Sequence, residues 1–314
     1  MKNFKNQIIL VTGGTGAVGT NLVKKLLDYG AKVTVLDDFS QSNKNNLENT
    51  EKLSIIKGDI NNKKVLKKVF EKKYDYVFHL AARFANELSV KNPVEDLHVN
   101  AEGTLQVLLF ASKQKPKRFV YSSSSSLYGN QKSIINENTK PNPSTPYAVS
   151  KLTGEYYCKA IHELYGLNYT IVRLSNSYGP FDPSGKYRNV IPNFFQRALT
   201  NRNIVITGTG NETRDFTFVD DTINGILLAA SSTKGKNETF NLGTGKETSI
   251  KEIVKNIINI TNSKSKIVFK SQRSFDHIKK RKMNISKAQK LIGYNPKIKI
   301  NEGLTRTYDW FLKN

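Results

Sequence analysis

Val11-Thr12-Gly13-Gly14-Thr15-Gly16-Ala17-Val18-Gly19-Thr20 is the stretch on which the reading of the fold turns. An apolar run, Ile8, Ile9, Leu10 and Val11, stops at its glycines. A helical pattern with Val18, Leu22, Leu26 and Leu27 on one face then begins. Strand, tight glycine turn and helix present free backbone N–H groups and a positive helix end to a pyrophosphate. Gly13 makes the turn, Gly16 lets phosphates approach the backbone, and Gly19 lets the helix lie close on the sheet. Glycines alone also mark ordinary loops. The position after a strand and before a helix makes this stretch a dinucleotide site.

Working outward, Gly30 stops the first helix. Lys32-Val33-Thr34-Val35-Leu36 is a buried-strand pattern ending in Asp37-Asp38. An acidic residue about 20 positions past the glycines is placed to accept hydrogen bonds from the adenosine ribose. No arginine or lysine follows at once to welcome a 2′-phosphate, so the cofactor expected is NAD rather than NADP. Leu53-Ser54-Ile55-Ile56 is a third strand leading to Gly58-Asp59-Ile60, where Asp59 is placed to reach the adenine amino group. Val65, Leu66, Val69 and Phe70 have helical spacing. Tyr76 to Leu80 is a fourth strand running into Ala81-Ala82, small residues against which a cofactor can lie. His79 reads as a strand residue with a satisfied ring, not as a catalyst. Strands and helices alternate without a break, which predicts an α/β, Rossmann-type, doubly wound parallel sheet. Every motif falls at a strand's carboxyl end, where such sheets bind ligands.

Pro93 to Gln114 reads as one long helix, and Arg118-Phe119-Val120-Tyr121 as a fifth strand. That strand opens into Ser122-Ser123-Ser124-Ser125-Ser126-Leu127-Tyr128-Gly129. A serine run is often a linker, but here it continues a strand, so its hydroxyls face the cofactor cleft. Pro146 opens a helix that carries Tyr147 and Lys151 one turn apart on one face. A free tyrosine ionises near pH ~10 and is a poor base at neutral pH. A lysine ammonium and a positive nicotinamide ring favour the phenolate. Tyr147 is then placed to take a substrate hydroxyl proton while hydride leaves the same carbon. A serine of the run shares the developing oxyanion.

The 314 residues suffice for one large domain or two closely joined ones, and 38% are hydrophobic. No apolar run approaches the ~20 residues that span a bilayer. The first strand begins too early to leave room for a signal peptide. The single cysteine, Cys158, allows no internal disulfide and suits a reducing cytoplasm. The net charge of +23 raises a nucleic-acid reading. However, the lysines spread along the whole chain, and Lys279-Lys280-Arg281-Lys282 has no interleaved aromatics; it reads as a solvated loop face. No metal and no nucleic acid are expected, and a positive surface helps gather an anionic substrate.

With these motifs in order, the chain resembles the extended short-chain dehydrogenase/reductases, in their NAD-dependent nucleotide-sugar epimerase/dehydratase group. The resemblance spans nearly the full length. It continues through Arg173-Leu174-Ser175-Asn176-Ser177-Tyr178-Gly179-Pro180, Asn189-Val190-Ile191-Pro192 and Gly208 to Asp221. It implies Ser124, Tyr147 and Lys151 as the catalytic set. It implies contacts to NAD from Gly13, Gly16, Ala17, Val18, Gly19, Asp37, Asp38, Asp59, Ile60, Leu80, Ala81, Ala82, Asn100, Ser122, Tyr147 and Lys151. Substrate contacts implied are Arg83, Ser124 and Ser126 beside the sugar, and Asn176, Asn189 and Arg214 on the diphosphate. Arg273 and Asp276 resemble a second diphosphate arginine and a ribose carboxylate. The usual Pro-Gly between them is Ser274-Phe275 here, so Arg281 remains a substitute. The resemblance further implies an NAD-binding domain over 1–175 and a smaller C-terminal substrate lobe over 176–314. A strand and helix of about 214–243 are interleaved with the first domain. It also implies a homodimer through about Val94–Gln114 and Pro146–Tyr165, working in the cytoplasm.

Oxidation at C4 of the sugar is shared by three outcomes. A 4,6-dehydratase carries an Asp-Glu pair directly after the catalytic hydroxyl, and Ser125 and Ser126 stand there instead. A 4-epimerase needs no extra group and is the first expectation. A 4-dehydrogenase making a keto sugar for surface polysaccharide is the second; the chain faintly resembles GDP-heptose 4-dehydrogenases of capsule pathways. The segment Arg83-Phe84-Ala85-Asn86-Glu87-Leu88 departs from the common epimerase pattern and keeps that second outcome open.

Overall fold

A computed structural model describes residues 2–42, 46–84, 86–131, 133–273 and 278–313. The first half alternates as expected: β1 (Ile8–Thr12), α1 (Ala17–Asp28), β2 (Lys32–Asp37), β3 (Leu53–Lys57), α2 (Lys63–Val69) and β4 (Tyr76–His79). Then follow α3 (Asn86–Lys91), α4 (Pro93–Asp96), α5 (Gly103–Gln114), β5 (Arg118–Ser124), α6 (Pro146–Tyr165) and β6 (Tyr169–Leu174). Local chemistry sets the ends. Gly30 takes φ +80° just past α1, the Asn62 side chain caps α2, and Thr145 caps α6 with Pro146 in its first turn.

The second half supplies β7 (Asn176–Tyr178), α7 (Val190–Leu199), β8 (Ile204–Thr207), β9 (Thr213–Arg214), β10 (Phe216–Phe218) and α8 (Val219–Ser231). It ends with β11 (Glu238–Leu242), β12 (Thr248–Ser249), α9 (Ile250–Thr261), β13 (Ile267–Lys270), α10 (Ser286–Ile292) and α11 (Ile300–Lys313). The main sheet has the order β11-β6-β5-β4-β1-β2-β3, all parallel. The order reverses between β1 and β4, which opens a crevice at their carboxyl ends. The side-chain period of two sorts one strand into two cores. Ile9 and Val11 join Leu22, Val23 and Leu26 of α1 on one face. Leu10 joins Leu66, Val107, Leu108 and Cys158 on the other. Burial on both faces is why these strands read as near-continuous apolar runs.

Two expected elements differ in detail. The long helix over Pro93 to Gln114 is helical throughout but contains a π-turn at Leu97–Glu102. Asp96, at the end of α4, and Asn100, inside the π-turn, are both buried and hydrogen-bonded to each other. The spacing of Ile250, Ile253, Val254 and Ile257 predicts a helix over Thr248 to Ile260, and the helix begins at Ile250. Thr248 and Ser249 pair with β9, and the Ser249 hydroxyl accepts from Glu252 N as the cap.

Candidate active site

The glycine turn forms a cradle. Gly13 has φ +70°, and a Cβ on it would lie 2.5 Å from Ala81 N. A Cβ on Gly19 would lie 2.0 Å from the Gly13 carbonyl oxygen. By contrast, a Cβ on Gly16 meets nothing nearer than that oxygen at 3.5 Å, so Gly16 faces open space rather than the protein. Gly16 also begins α1, and no side chain caps that end. The first N–H groups of α1 therefore remain for an anion. Asp37, at the end of β2, accepts from Thr15 N at 3.0 Å and from Phe39 N at 2.9 Å. Its carboxylate is thus fixed beside the turn with lone pairs to spare. Asp38 and Asp59 are exposed; Leu80, Ala81 and Ala82 are half-buried after β4. These residues fit a dinucleotide.

Across the crevice, β5 and α6 bring together the residues expected to form the catalytic set. The Lys151 ammonium donates to Ser122 O at 2.8 Å and sits 5.9 Å from the Tyr147 ring centre. Burial pushes its pKa down to about 8, opposed by the Asp96 carboxylate. Tyr147 is also buried, which pushes its phenol upward; Asp96 adds to the rise and the facing Ser124 hydroxyl lowers it. The sequence argument expects a lowered phenol. In the protein alone desolvation wins, because a phenolate loses water there that no cation in contact replaces. Ser124 Oγ accepts from Ser126 N at 3.1 Å and Ser126 Oγ at 2.9 Å, which leaves its own proton to give.

His79 is structural. Its Nδ1 lies 2.7 Å from Thr12 Oγ1 and its Nε2 2.9 Å from Thr104 Oγ1, and Thr104 donates to Asn100 O. Thr104 spends its proton on Asn100, so the imidazole must donate through Nε2 and accept through Nδ1. Full burial holds its pKa down at about 3, with the Lys151 charge adding to the effect.

A cavity of about 520 Å³ opens beside Tyr147, since Phe84 both lines it and meets the Tyr147 ring edge-on at 5.9 Å. Ser126, Asn176, Asn189, Arg214, Arg273 and Arg281 all line it. Arg214 and Arg281 are buried, and Arg273 is exposed 3.6 Å from Glu87. Asn189 stands at the start of α7 and donates to Asp182 at 3.0 Å. Arg83 does not line the cavity. Its guanidinium pairs with Glu95, and its backbone is clamped by Asn100. Asp276 lies outside the described residues. Among those described, no cluster of metal-ligating side chains occurs, and no helix is long and apolar enough to cross a membrane.

Sequence reasoning missed Asp96, Ser150, Phe84 and Thr145. Asp96 and Asn100 are four residues apart on a helical pattern, the one signal available. Phe84 lay in the segment that departs from the common epimerase pattern, but nothing local told that its ring meets Tyr147.

Residues 9–243 match the model of the NAD-dependent epimerase/dehydratase family. The UDP-glucose 4-epimerase of Mycolicibacterium smegmatis is 33% identical, covering 96% of this chain and 97% of that one. An epimerase structure from Methanothermobacter thermautotrophicus is 41% identical with a TM-score of 0.98, covering 100% of this chain and 94% of that one. The UDP-glucose 4-epimerase of Thermotoga maritima, solved with UDP-glucose, is 34% identical with a TM-score of 0.93, covering 98% and 99%. Fold, cradle, catalytic set and these likenesses agree: the chain belongs to the NAD-dependent epimerase/dehydratase family and is a nucleotide-sugar enzyme of the extended short-chain dehydrogenase/reductase type.

Proposed function

We propose that the chain is a sugar-nucleotide 4-epimerase acting on a UDP-sugar. The observation that carries this reading is the joining of Ser124, Tyr147 and Lys151 behind Phe84 and Ser126, which line the cavity, with Ser125 and Ser126 where a dehydratase holds its acid pair. UDP is favoured because related epimerases were solved with UDP-glucose and with UDP-N-acetylmuramic acid. The glycine turn, Asp37 and Asp59 would hold NAD, which would supply a hydride acceptor for C4. Tyr147 accepts the C4 hydroxyl proton and later gives it back. Ser124 donates to the C4 oxygen as its charge grows, and the Lys151 charge favours the phenolate. Arg214, with Arg273 or Arg281, neutralises the diphosphate, and Asn176 and Asn189 orient it. Ser125 and Ser126 offer no acid pair for a C6 leaving group, so the reading is inversion at C4 without loss of water.

The lobes divide at about residue 175, with β11 of the second half completing the first domain's sheet. A homodimer forms through about Val94–Gln114 and Pro146–Tyr165, and the enzyme works in the cytoplasm; supply of a keto sugar for surface polysaccharide belongs to the 4-dehydrogenase alternative. Mass spectrometry of the purified protein with UDP-, GDP-, CDP- and dTDP-sugars tests the reaction. An isomer with no net redox change supports the epimerase. A keto sugar two daltons lighter, with NADH retained, supports the 4-dehydrogenase, and GDP-heptose is the substrate to try for it. Loss of water overturns the argument from Ser125 and Ser126.

A further inference from the structure

Asp96 is 1% exposed, at the entrance to the π-turn. Its Oδ2 accepts from Ser150 Oγ, on α6 between Tyr147 and Lys151, and its Oδ1 accepts from Asn100 Nδ2 at 2.8 Å. Asn100 in turn grips the chain after β4. Its Oδ1 accepts from Arg83 N at 2.7 Å, and its Nδ2 donates to Arg83 O at 3.1 Å. The next residue, Phe84, carries the ring against Tyr147. One carboxylate therefore joins the catalytic helix, the π-turn and the loop that packs on the catalytic phenol. Asp96 and Asn100 stand four residues apart, the spacing that sets two side chains side by side on one helix face.

We propose that Asp96 is a positioning residue of the active site: through Ser150 and Asn100 it fixes α6 against the loop at Arg83 and Phe84, and it keeps a negative charge beside Lys151. The proposal rests on the reading of Tyr147 and Lys151 as catalytic. Several groups face Lys151. Tyr147 and Cys158 belong to its own helix, Tyr121 and the Ser122 carbonyl come from β5, His79 from β4, and Asp96 from the end of α4. Burial holds His79 neutral and Cys158 as a thiol, and Glu155 is spent on a two-point pair with Arg173 at 2.9 and 2.7 Å. Asp96 is thus the carboxylate left to favour the ammonium, and burial of Lys151 works against it.

The experiment titrates Lys151 directly, in NAD-saturated protein carrying ¹³Cε-lysine. The Lys151 resonance is assigned by its loss in Lys151→Met. In Asp96→Asn its midpoint should fall by about one pH unit, because the charged form loses its partner. A midpoint that stays or rises overturns the proposal. Should Asp96→Asn not fold, Ser150→Ala, which loosens the carboxylate, should lower the midpoint by less, and an unmoved midpoint there overturns it equally. A second readout uses whichever nucleotide sugar the wild type converts. The alkaline limb of kcat should move to lower pH in Asp96→Asn, with KM within about threefold. Loss of kcat with both limbs unmoved would mean a merely structural role. If the wild type converts no sugar, the functional reading fails, but the NMR titration still decides the role of Asp96.

Discussion

Gly19 and Gly13 touch so closely that a methyl group on Gly19 would stand 2.0 Å from the Gly13 carbonyl oxygen. This contact lets α1 start directly under the turn, and it separates two glycines that look alike in the sequence. Gly19→Ala must push the turn and helix apart, at a cost of about 1–3 kcal/mol. It should lower both thermal stability and NAD affinity. Gly16→Ala adds a methyl at ordinary contact distance, so its melting temperature should stay within about 2 °C of wild type. Its NAD affinity should still drop, because the methyl occupies the space at the start of α1. Calorimetry with and without NAD distinguishes the two. Equal affinity losses with equal destabilisation would remove the distinction.

Tyr147 and Lys151 should separate binding from turnover. Tyr147→Phe should bind NAD within about threefold of wild type and lose at least about 100-fold in kcat, since general-base contributions are of that order or larger. Normal turnover in this variant would end the catalytic assignment. The ammonium of Lys151, with its pKa pushed down to about 8, is the form that supports the phenolate. Activity should therefore decline as pH rises through about 8, and stopped-time assays from pH 6 to 9.5 give the limb.

His79 makes a prediction about acid stability. Its folded pKa of about 3 lies below the ordinary 6.5. Below pH ~6.5 the unfolded chain binds a proton that the folded one refuses, so stability falls as pH drops from there toward about 3. At pH ~4.5 the imidazole alone should account for about 2–3 kcal/mol of lost stability. His79→Phe keeps the stack on Tyr121 but breaks the bonds to Thr12 and Thr104. It should be less stable than wild type at pH 7, yet lose less between pH 7 and 4.5 in urea titrations. Parallel pH slopes would sink this account.

These residues show why legibility in the sequence was uneven. The sheet was readable because both faces of β1, β2 and β4 are buried and every cofactor motif lies at a strand end. Tyr147 and Lys151 were readable because one helical turn relates them. The contact between Phe84 and Tyr147 joins residues far apart in the chain, and no spacing rule encodes it. Asp96 stayed hidden for a different reason: its spacing to Asn100 is ordinary helical spacing, and its partner Ser150 lies on another helix far along the chain. Arg83 was misleading. The resemblance implies that it touches the substrate beside the sugar, but it does not line the cavity and its guanidinium is held by Glu95 on a neighbouring helix.

The remaining prediction concerns a second copy of the chain. Val149, Tyr156 and Leu164 lie roughly two turns apart along α6 and are 48%, 61% and 71% exposed. Val94 and Leu97 stand out beside them at 79% and 55%. Between the two sets lies an open cleft lined by Pro93, Leu97, Pro143, Pro146 and Val149. Scattered apolar residues on a surface are ordinary, but a stripe continuing across two neighbouring helices marks an interface. If two copies meet there about a two-fold axis, each residue of the stripe is used twice. Light scattering at micromolar concentration should then give about twice the 35.4 kDa chain mass. Tyr156→Asp, which buries a charge at the centre of the stripe, should shift the mass to that of one chain. NAD affinity should stay unchanged, because Tyr156 points away from the crevice that Lys151 faces. A wild-type mass of 35.4 kDa at that concentration would refute the homodimer.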